Sequence, residues 1–385
     1  MYDLMLYFIP VIVLYFSYFI KELHNSKKWW CILCLYLIIF LCFGYMTGSD
    51  WRSYELQYID LDISELNIVG FIGEPGYYLY MFFWKSLGVD FWTFFISTKT
   101  ICLLAIIKQI NKYSNEYFYS SFAYFLPLAG FFLFIDNPMR NLIAVTIFLY
   151  ALPYLMKRKY FIYILISLTA TFFHLSSFFV IFFSFLLISN FKSSIIIWSY
   201  LLFNTIFFVI NTETLNTFIV NTAGLIPFYE RYVLNYFLLG SEYIQGSKFS
   251  LGFILKIISF IFILLARNKI ENKTFGKLIF NGAIIYLFLY TFGLNIPILG
   301  RFQFYYVIFY AIANILVVDI FTENSRAYYW SYLFIATISL SFINVTSKYV
   351  YIPYTNYIAY IGKDKPNYNY RSNYNYTNSP YYNTN

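Results

Sequence analysis

Charged residues are scarce in this chain of 385 residues: only 11% are Asp, Glu, Lys or Arg, whereas 61% are hydrophobic. The two histidines lie far apart, and the four cysteines lie in or beside apolar runs, so the sequence predicts no metal site. No Walker loop, GxGxxG or GxSxG motif is present, and no polar region is large enough for a nucleotide-binding domain. The net charge of +8 is dispersed over short segments, which argues against nucleic acid as a partner.

Apolar runs of about 17–20 residues, the length that a helix needs to cross ~30 Å of hydrocarbon, dominate what is present. Their unbroken character excludes the alternating pattern of a membrane β-barrel. The fold class predicted is therefore all-α, a polytopic integral membrane protein with about 11–12 transmembrane helices. The predicted spans are residues 4–20, 29–46, 91–110, 117–135, 139–155, 160–173, 175–189, 194–211, 249–266, 278–293, 302–320 and 327–343.

The region 160–189 allows two topologies, since one helix of that length would be ~45 Å long and two passes would each be short. A double pass, or a segment that turns back, places the lysine- and arginine-rich loops on one side, the cytoplasm by the positive-inside rule. We therefore predict a break at His174, with the N-terminus and this histidine outside. The residues 1–345 would form one membrane domain, and 346–385 a Tyr- and Asn-rich tail that is partly disordered.

Two long segments would then be extracytoplasmic, at about 47–90 and 212–248, and both are rich in aromatic residues. Within the first, Glu74-Pro75-Gly76 predicts the start of a short helix, because proline suits the first turn. The same predicted face receives polar residues that adjoin six different segments, as a site between helices would require. These residues are Asp50, Glu74, Arg140, His174, Arg231 and Arg301.

Arg140 and His174 are the most informative of these residues, because each adjoins or lies within an apolar segment, where a polar group is energetically costly. Arginine suits a diphosphate, since its planar guanidinium grips two oxygens, and Arg301 offers the same chemistry. The imidazole of His174, or the carboxylate of Asp50, could accept a proton from a hydroxyl. The alternatives stay open: arginines that reach lipid headgroups, a histidine that only packs, and an exposed loop aspartate.

Several short motifs are spread over residues 40–355. They are Gly48-Ser49-Asp50 with Tyr54, Glu74-Pro75-Gly76-Tyr77, Arg140 before a run ending in Lys157-Arg158-Lys159, Phe173-His174-Leu175-Ser176, Arg301 with Tyr305-Tyr306, and Pro353-Tyr354. Together they resemble the EpsG family of bacterial exopolysaccharide proteins and, more broadly, the Wzy-type O-antigen polymerases. The chain departs from the family pattern at Gly44-Tyr45-Met46, where a basic residue would be expected.

The resemblance implies a glycosyltransferase that polymerises undecaprenyl-diphosphate-linked repeat units into O-antigen, capsule or exopolysaccharide. It would act at the outer face of the bacterial cytoplasmic membrane without a metal or other cofactor. Its partners would be the lipid-linked glycan donor and acceptor, membrane lipids, a chain-length regulator and a flippase. Arg140 and Arg301 would hold the diphosphate, and His174 or Asp50 would act as the base. The remaining substrate contacts would come from Glu74, Tyr54, Tyr77 and Arg231.

Two other classes compete with this interpretation. A flippase for lipid-linked oligosaccharides, or another exporter component, should show internal repeats and charges through both leaflets. An acyltransferase should carry its arginines and histidine on the cytoplasmic side, where acyl donors are made. The sequence shows no repeat, and its candidate polar site residues are predicted on one face of the membrane. A polymerase is therefore the function expected.

Overall fold

The computed structural model describes residues 2–62, 74–209, 221, 250–295 and 300–381. This part of the chain is helical, with an isolated β-bridge between Gly44 and Asn356. The longer helices are α1 (Tyr2–Phe19), α2 (Lys27–Cys42), α3 (Trp51–Asp60), α4 (Pro75–Ser86), α5 (Phe91–Ser114), α6 (Phe118–Phe125), α7 (Met139–Met156), α8 (Tyr160–Phe173), α9 (Ser176–Phe183), α10 (Ser193–Val209), α11 (Leu251–Leu265), α12 (Gly276–Asn295), α13 (Val307–Leu316), α14 (Glu323–Thr346) and α15 (Tyr368–Asn378). Short helical turns are Lys21–His24, Asn115–Tyr117, Leu126–Gly130, Phe132–Asp136, Ser184–Ile188, Arg267–Glu271, Phe302–Tyr305, Val317–Ile320, Tyr349–Tyr351 and Tyr357–Tyr360.

Four of the described helical segments are long and apolar enough to cross a bilayer. They are Tyr2–Phe19, Phe91–Gly130, Met139–Met156 and Glu323–Thr346. Shorter apolar helices of 10–17 residues account for the other predicted spans within the described residues. The predicted fold class, an all-α polytopic membrane protein, is therefore confirmed, while the number of complete crossings stays a prediction.

The chain divides into two compact units. Unit 1 comprises Met1–Ile181 and Phe321–Asn385, and unit 2 comprises Phe182–Ile320. The sequence predicted one membrane domain to residue 345 followed by a separate tail. In the structure the tail belongs to unit 1, where Tyr7 donates a hydrogen bond of 2.6 Å to the carbonyl of Tyr351.

The tail contains a helix where the sequence predicted partial disorder. Asn367 caps α15, because its side chain accepts a hydrogen bond from the amide of Tyr370. Arg371 and Asn375 are buried, and Arg371 forms an ion pair with Glu55 at 2.7 Å. Polar contacts, in place of an apolar face, thus order a segment whose Tyr- and Asn-rich composition predicted partial disorder.

The break predicted at His174 is confirmed. Helix α8 ends at Phe173, His174 is extended with φ −154° and ψ 121°, and α9 begins at Ser176. The short helix predicted after Glu74 is present as α4, with Pro75 in its first turn. The predicted segment 212–248 lies outside the described residues except for residue 221.

Candidate functional site

A helical hairpin in unit 1 brings Arg140 and His174 to the same end. Helix α7 begins next to Arg140 and runs for 18 residues to Met156, and α8 returns for 14 residues. The turn between them is Lys157-Arg158-Lys159, in which Arg158 has a φ of +56°. Because α7 and α8 pack along each other in opposite directions, the first turn of α7 meets the residue that follows α8.

Helix α4 adds a carboxylate to this end of the hairpin. Glu74 precedes α4 directly, and Gly76 in its first turn lies against Phe172 in the last turn of α8. A Cβ atom at residue 76 would lie 2.8 Å from the Cβ of Phe172 and 3.0 Å from its carbonyl oxygen. The absence of a side chain at Gly76 therefore allows the approach that places Glu74 beside His174.

The Glu74 carboxylate bridges the arginine and the histidine. Oε2 of Glu74 lies 2.7 Å from Nη1 of Arg140, and Oε1 lies 2.6 Å from Nδ1 of His174. Oε1 also accepts a hydrogen bond of 3.3 Å from the backbone amide of Leu175. The Glu74 side chain is 6% exposed, that of His174 is 11% exposed, and that of Arg140 is 33% exposed. We call these three residues the ionic cluster.

This geometry fixes the chemistry of the imidazole. A carboxylate accepts hydrogen bonds, so the Nδ1 atom that faces Glu74 carries the proton. In a neutral imidazole the lone pair is then on Nε2. Among the described residues, Nε2 of His174 is buried and has no hydrogen-bond partner. The carboxylate therefore orients the imidazole with the lone pair of Nε2 unpaired within the ranges that the structure describes, an arrangement like that of an aspartate behind a catalytic histidine.

Glu74 is ionised in this setting. Burial disfavours its charged form, but the hydrogen bond from His174, the positive charge of Arg140 and the Leu175 amide act in the opposite direction. Together they hold the pKa of Glu74 below the ordinary value of 4.5. A buried carboxylate that stays charged near neutral pH holds the proton of His174 on Nδ1.

Two tyrosines line the arginine side of the ionic cluster. The hydroxyl of Tyr54 on α3 accepts a hydrogen bond of 3.4 Å from Nε of Arg140, whose guanidinium carbon lies 5.4 Å from the ring centre. Burial raises the pKa of Tyr54 to about 12 despite the nearby positive charge. The ring of Tyr77 lies 5.3 Å from that of Tyr54. The structure thus brings together five of the predicted residues: Glu74, Arg140, His174, Tyr54 and Tyr77.

Asp50 lies one turn before Tyr54 on α3 and belongs to an adjoining polar group. The hydroxyl of Ser49 lies 3.0 Å from Oδ1 of Asp50 and 2.6 Å from Oδ1 of Asp136. Lys348 forms an ion pair of 3.0 Å with the other Asp136 oxygen. The contacts of Ser49 therefore tie Asp50 to Asp136, whereas the carboxylate that contacts the histidine is Glu74.

The loop that carries Asp50 packs tightly against the start of the hairpin. Gly48 has a φ of +84°, and a Cβ atom there would lie 2.0 Å from the carbonyl oxygen of Ile135. Asn137 is left-handed, with a φ of +72°, and donates a hydrogen bond of 3.2 Å to the carbonyl of Thr47. Backbone contacts thus fix the register between α3 and α7, and hence between Tyr54 and Arg140.

Arg301 and Arg231 are the two remaining predicted binding residues. Arg301 is half-buried in unit 2, directly before the turn Phe302–Tyr305. Arg231 lies outside the described residues. The binding roles suggested for both arginines stay predictions.

The sequence did not predict the role of Glu74 as partner of the histidine, nor a second buried ion pair. Glu55 contacts Arg371, with Nη1 at 3.0 and 2.7 Å from its two carboxylate oxygens, and accepts a hydrogen bond of 3.1 Å from Nε1 of Trp92. The two partners are 316 residues apart in the chain, so no local pattern could reveal the pair. The signal available for Glu74 was its predicted position on the same face as Arg140 and His174.

These features define a class of protein. It is an all-α membrane protein in which a buried carboxylate joins an arginine to a histidine at one end of the helices. The chain belongs to the EpsG family, whose family model matches residues 27–358. Membership assigns the protein a general role in polysaccharide biosynthesis at a membrane. Comparison with curated proteins and with solved structures found no significant match in either set.

Proposed function

We propose that this protein is a glycosyltransferase that polymerises undecaprenyl-diphosphate-linked repeat units at the outer face of the bacterial cytoplasmic membrane. The observation that carries the proposal is the ionic cluster, in which one carboxylate contacts both a histidine and an arginine. Sugar transfer from a diphosphate carrier needs a base for the acceptor and a cation for the leaving group, and the cluster supplies both. Family membership supports the polysaccharide part of the proposal.

His174 is the base in this mechanism. Nε2 takes the proton from a hydroxyl of the acceptor sugar, and the resulting oxygen nucleophile attacks the anomeric carbon of the donor. Glu74 holds the proton of the imidazole on Nδ1 and stabilises the imidazolium that forms. The captured proton leaves to solvent at the end of the cycle, which restores the neutral imidazole.

Arg140 acts on the leaving group. As the new glycosidic bond forms, the bond between the anomeric carbon and the diphosphate breaks, and its electron pair passes to the phosphate oxygen. The guanidinium of Arg140 is one-third exposed, so it combines a fixed position with access for an anionic substrate. Its contacts with Glu74 and Tyr54 hold it in place before the substrate arrives. Arg301, in unit 2, stays a predicted diphosphate-binding residue.

Asp50 and the aromatic residues complete the proposed substrate contacts. Tyr54 and Tyr77 would pack against sugar rings, and Arg231 would add a further contact. Asp50, the N-cap residue of α3 four residues before Tyr54, remains the alternative base.

The test is the length of the polysaccharide in a deletion strain that carries single variants. We expect His174→Ala to lower polymerisation by about 10²–10⁴-fold, the usual contribution of a positioned base, and Arg140→Ala to lower it comparably. His24→Ala, which removes the other histidine, is the matched control and should give wild-type chains. Long chains in both the His174 and Arg140 variants would remove the cluster from the mechanism.

The same strains separate this function from its competitors. Without a polymerase, single repeat units reach the final acceptor, whereas without a flippase none does. Loss of an acyltransferase would leave chain lengths normal. A deletion strain that exports single units and regains long chains with the wild-type gene is the expected result.

A further inference from the structure

The outward face of α15 is chemically unlike the rest of the molecule. The residues exposed on this face are Asn369, Tyr370, Asn373, Tyr376 and Thr377. Counted at 100° per residue they form one stripe along the helix. The stripe carries no charge, because the one charged residue of α15, Arg371, is buried on the opposite side.

The opposite side of α15 anchors it to the segment that carries part of the candidate site. Arg371 forms its ion pair with Glu55 of α3, and the hydroxyl of Tyr368 donates a hydrogen bond of 3.1 Å to the carbonyl of Arg52. Asn375 donates to the carbonyl of Pro353 at 3.0 Å. Tyr54, the residue of α3 directly before Glu55, contacts Arg140, so α15 is attached to the same short helix that contacts the ionic cluster.

We infer that this face of α15 binds neutral segments of the glycan chain, which rests on the proposed polymerase function. A pyranose offers an apolar C–H face and a rim of hydroxyls. Tyr370 and Tyr376 are 54% and 45% exposed and supply ring surface at low cost in side-chain entropy. The asparagine side chains both donate and accept hydrogen bonds, as hydroxyl groups require.

Other occupants fit this face less well. A lipid surface would favour leucine, isoleucine and phenylalanine where α15 exposes asparagine. A nucleic acid would need cations, and this face has none. A stable protein partner needs about 800 Å² on each side, more than one face of an 11-residue helix about 16 Å long provides.

The consequence is a second glycan contact on unit 1, apart from the reacting atoms. A growing chain held there would stay with the enzyme between additions, which favours long products by raising the effective concentration of the chain end.

The experiment measures binding of the purified, detergent-solubilised full chain to the surface polysaccharide isolated from its own bacterium, with dextran as a second probe. The test variant is the double substitution Tyr370→Ala with Asn373→Ala, which removes a ring and an amide while keeping good helix propensity. Tyr328→Ala is the control, because Tyr328 is 80% exposed on α14. We expect binding to weaken about tenfold in the double variant and to be unchanged in the control.

A second measurement is chain length in cells, where the double variant should give shorter polymers. Binding of the double variant equal to wild type, or no binding by the wild type, would overturn the inference. Failure of the proposed function would look different: His174→Ala would still make long chains, whatever the binding result. Thermal unfolding of each variant checks that the fold is retained.

Discussion

Unit 1 contains two buried glutamates that are each paired with an arginine, and they differ in what surrounds them. The side chains of Glu55 and Glu74 are both 6% exposed. Arg371, the partner of Glu55, is 9% exposed and lies 5.6 Å from the ring centre of Trp51. Arg140, the partner of Glu74, is 33% exposed. The Glu55–Arg371 pair is closed off from solvent, whereas the cation of the Glu74–Arg140 pair is partly accessible to solvent.

The remaining donors sharpen the contrast. Glu55 has as its third group the indole of Trp92, a hydrogen-bond donor that does not titrate near neutral pH. Glu74 has His174, whose second nitrogen is buried without a hydrogen-bond partner in the described part of the chain. The same carboxylate–guanidinium pair thus joins distant segments in one place and forms part of the candidate site in the other. Exposure and the third donor, not the ion pair itself, distinguish a structural contact from a candidate site.

The largest expected difference between the two pairs is in activity. Glu74→Gln keeps the size of the side chain but removes the charge that fixes the imidazole proton, so polymerisation per folded molecule should fall by roughly 10²-fold or more. Glu55→Gln should leave that rate within about threefold of wild type, because Glu55 touches no proposed reacting group. Polymer formation in membrane vesicles, normalised to folded protein, measures both. Equal losses would refute the division of roles.

The second difference is in stability. Arg371→Met leaves the Glu55 carboxylate buried without its cation and should lower the free energy of unfolding by about 3–5 kcal/mol. Arg140→Met should cost about 1 kcal/mol or less, since its cation is partly hydrated and the histidine remains beside Glu74. Thermal unfolding of both variants in the same detergent tests this order. A larger loss in the Arg140 variant would contradict it.

Apolar runs were sufficient to predict the fold class, and the distribution of basic residues was sufficient to predict the break at His174. Apolar runs report lipid or core contact directly, and the basic residues 157–159 could be placed on one side by the positive-inside rule. The same reasoning placed Glu74, Arg140 and His174 on one face, and the structure brings them into contact. Local patterns therefore defined the ends of helices and the groups that meet there.

Contacts between residues that lie far apart in the sequence could not be predicted in this way. Arg371 lies in a segment whose composition suggests disorder, whereas in the structure it lies in a helix and contacts Glu55, a residue far away in the sequence. Likewise, the contact between Glu74 and His174 depends on the close approach of Gly76 to Phe172. Composition describes each segment alone, whereas a site depends on which segments touch.

The close packing of Gly76 provides a third, smaller test of the comparison. Gly76→Ala forces α4 away from the Phe172 backbone, which cannot yield as a side-chain end would, and so separates Glu74 from His174. We expect about a tenfold loss of polymerisation and a destabilisation of about 1–3 kcal/mol. Gly130→Ala is the control, because its nearest neighbour, at 3.0 Å, is the flexible end of Leu126. Full activity of the Gly76 variant would show that the approach of α4 is not required.

The smallest expected effect is in the pH dependence of stability. The pKa of Glu74 is lower in the folded protein than its ordinary value of 4.5, so its ionised form stabilises the fold above that pH. This contribution is lost as the pH falls below 4.5 and through the folded-state pKa, where the carboxylate takes up a proton and its attraction to Arg140 disappears. The stability advantage of wild type over Glu74→Gln should therefore shrink as the pH falls below 4.5. Denaturation midpoints of the two proteins across this range measure it, and a gap that widens on acidification would show that Glu74 is protonated in the folded state.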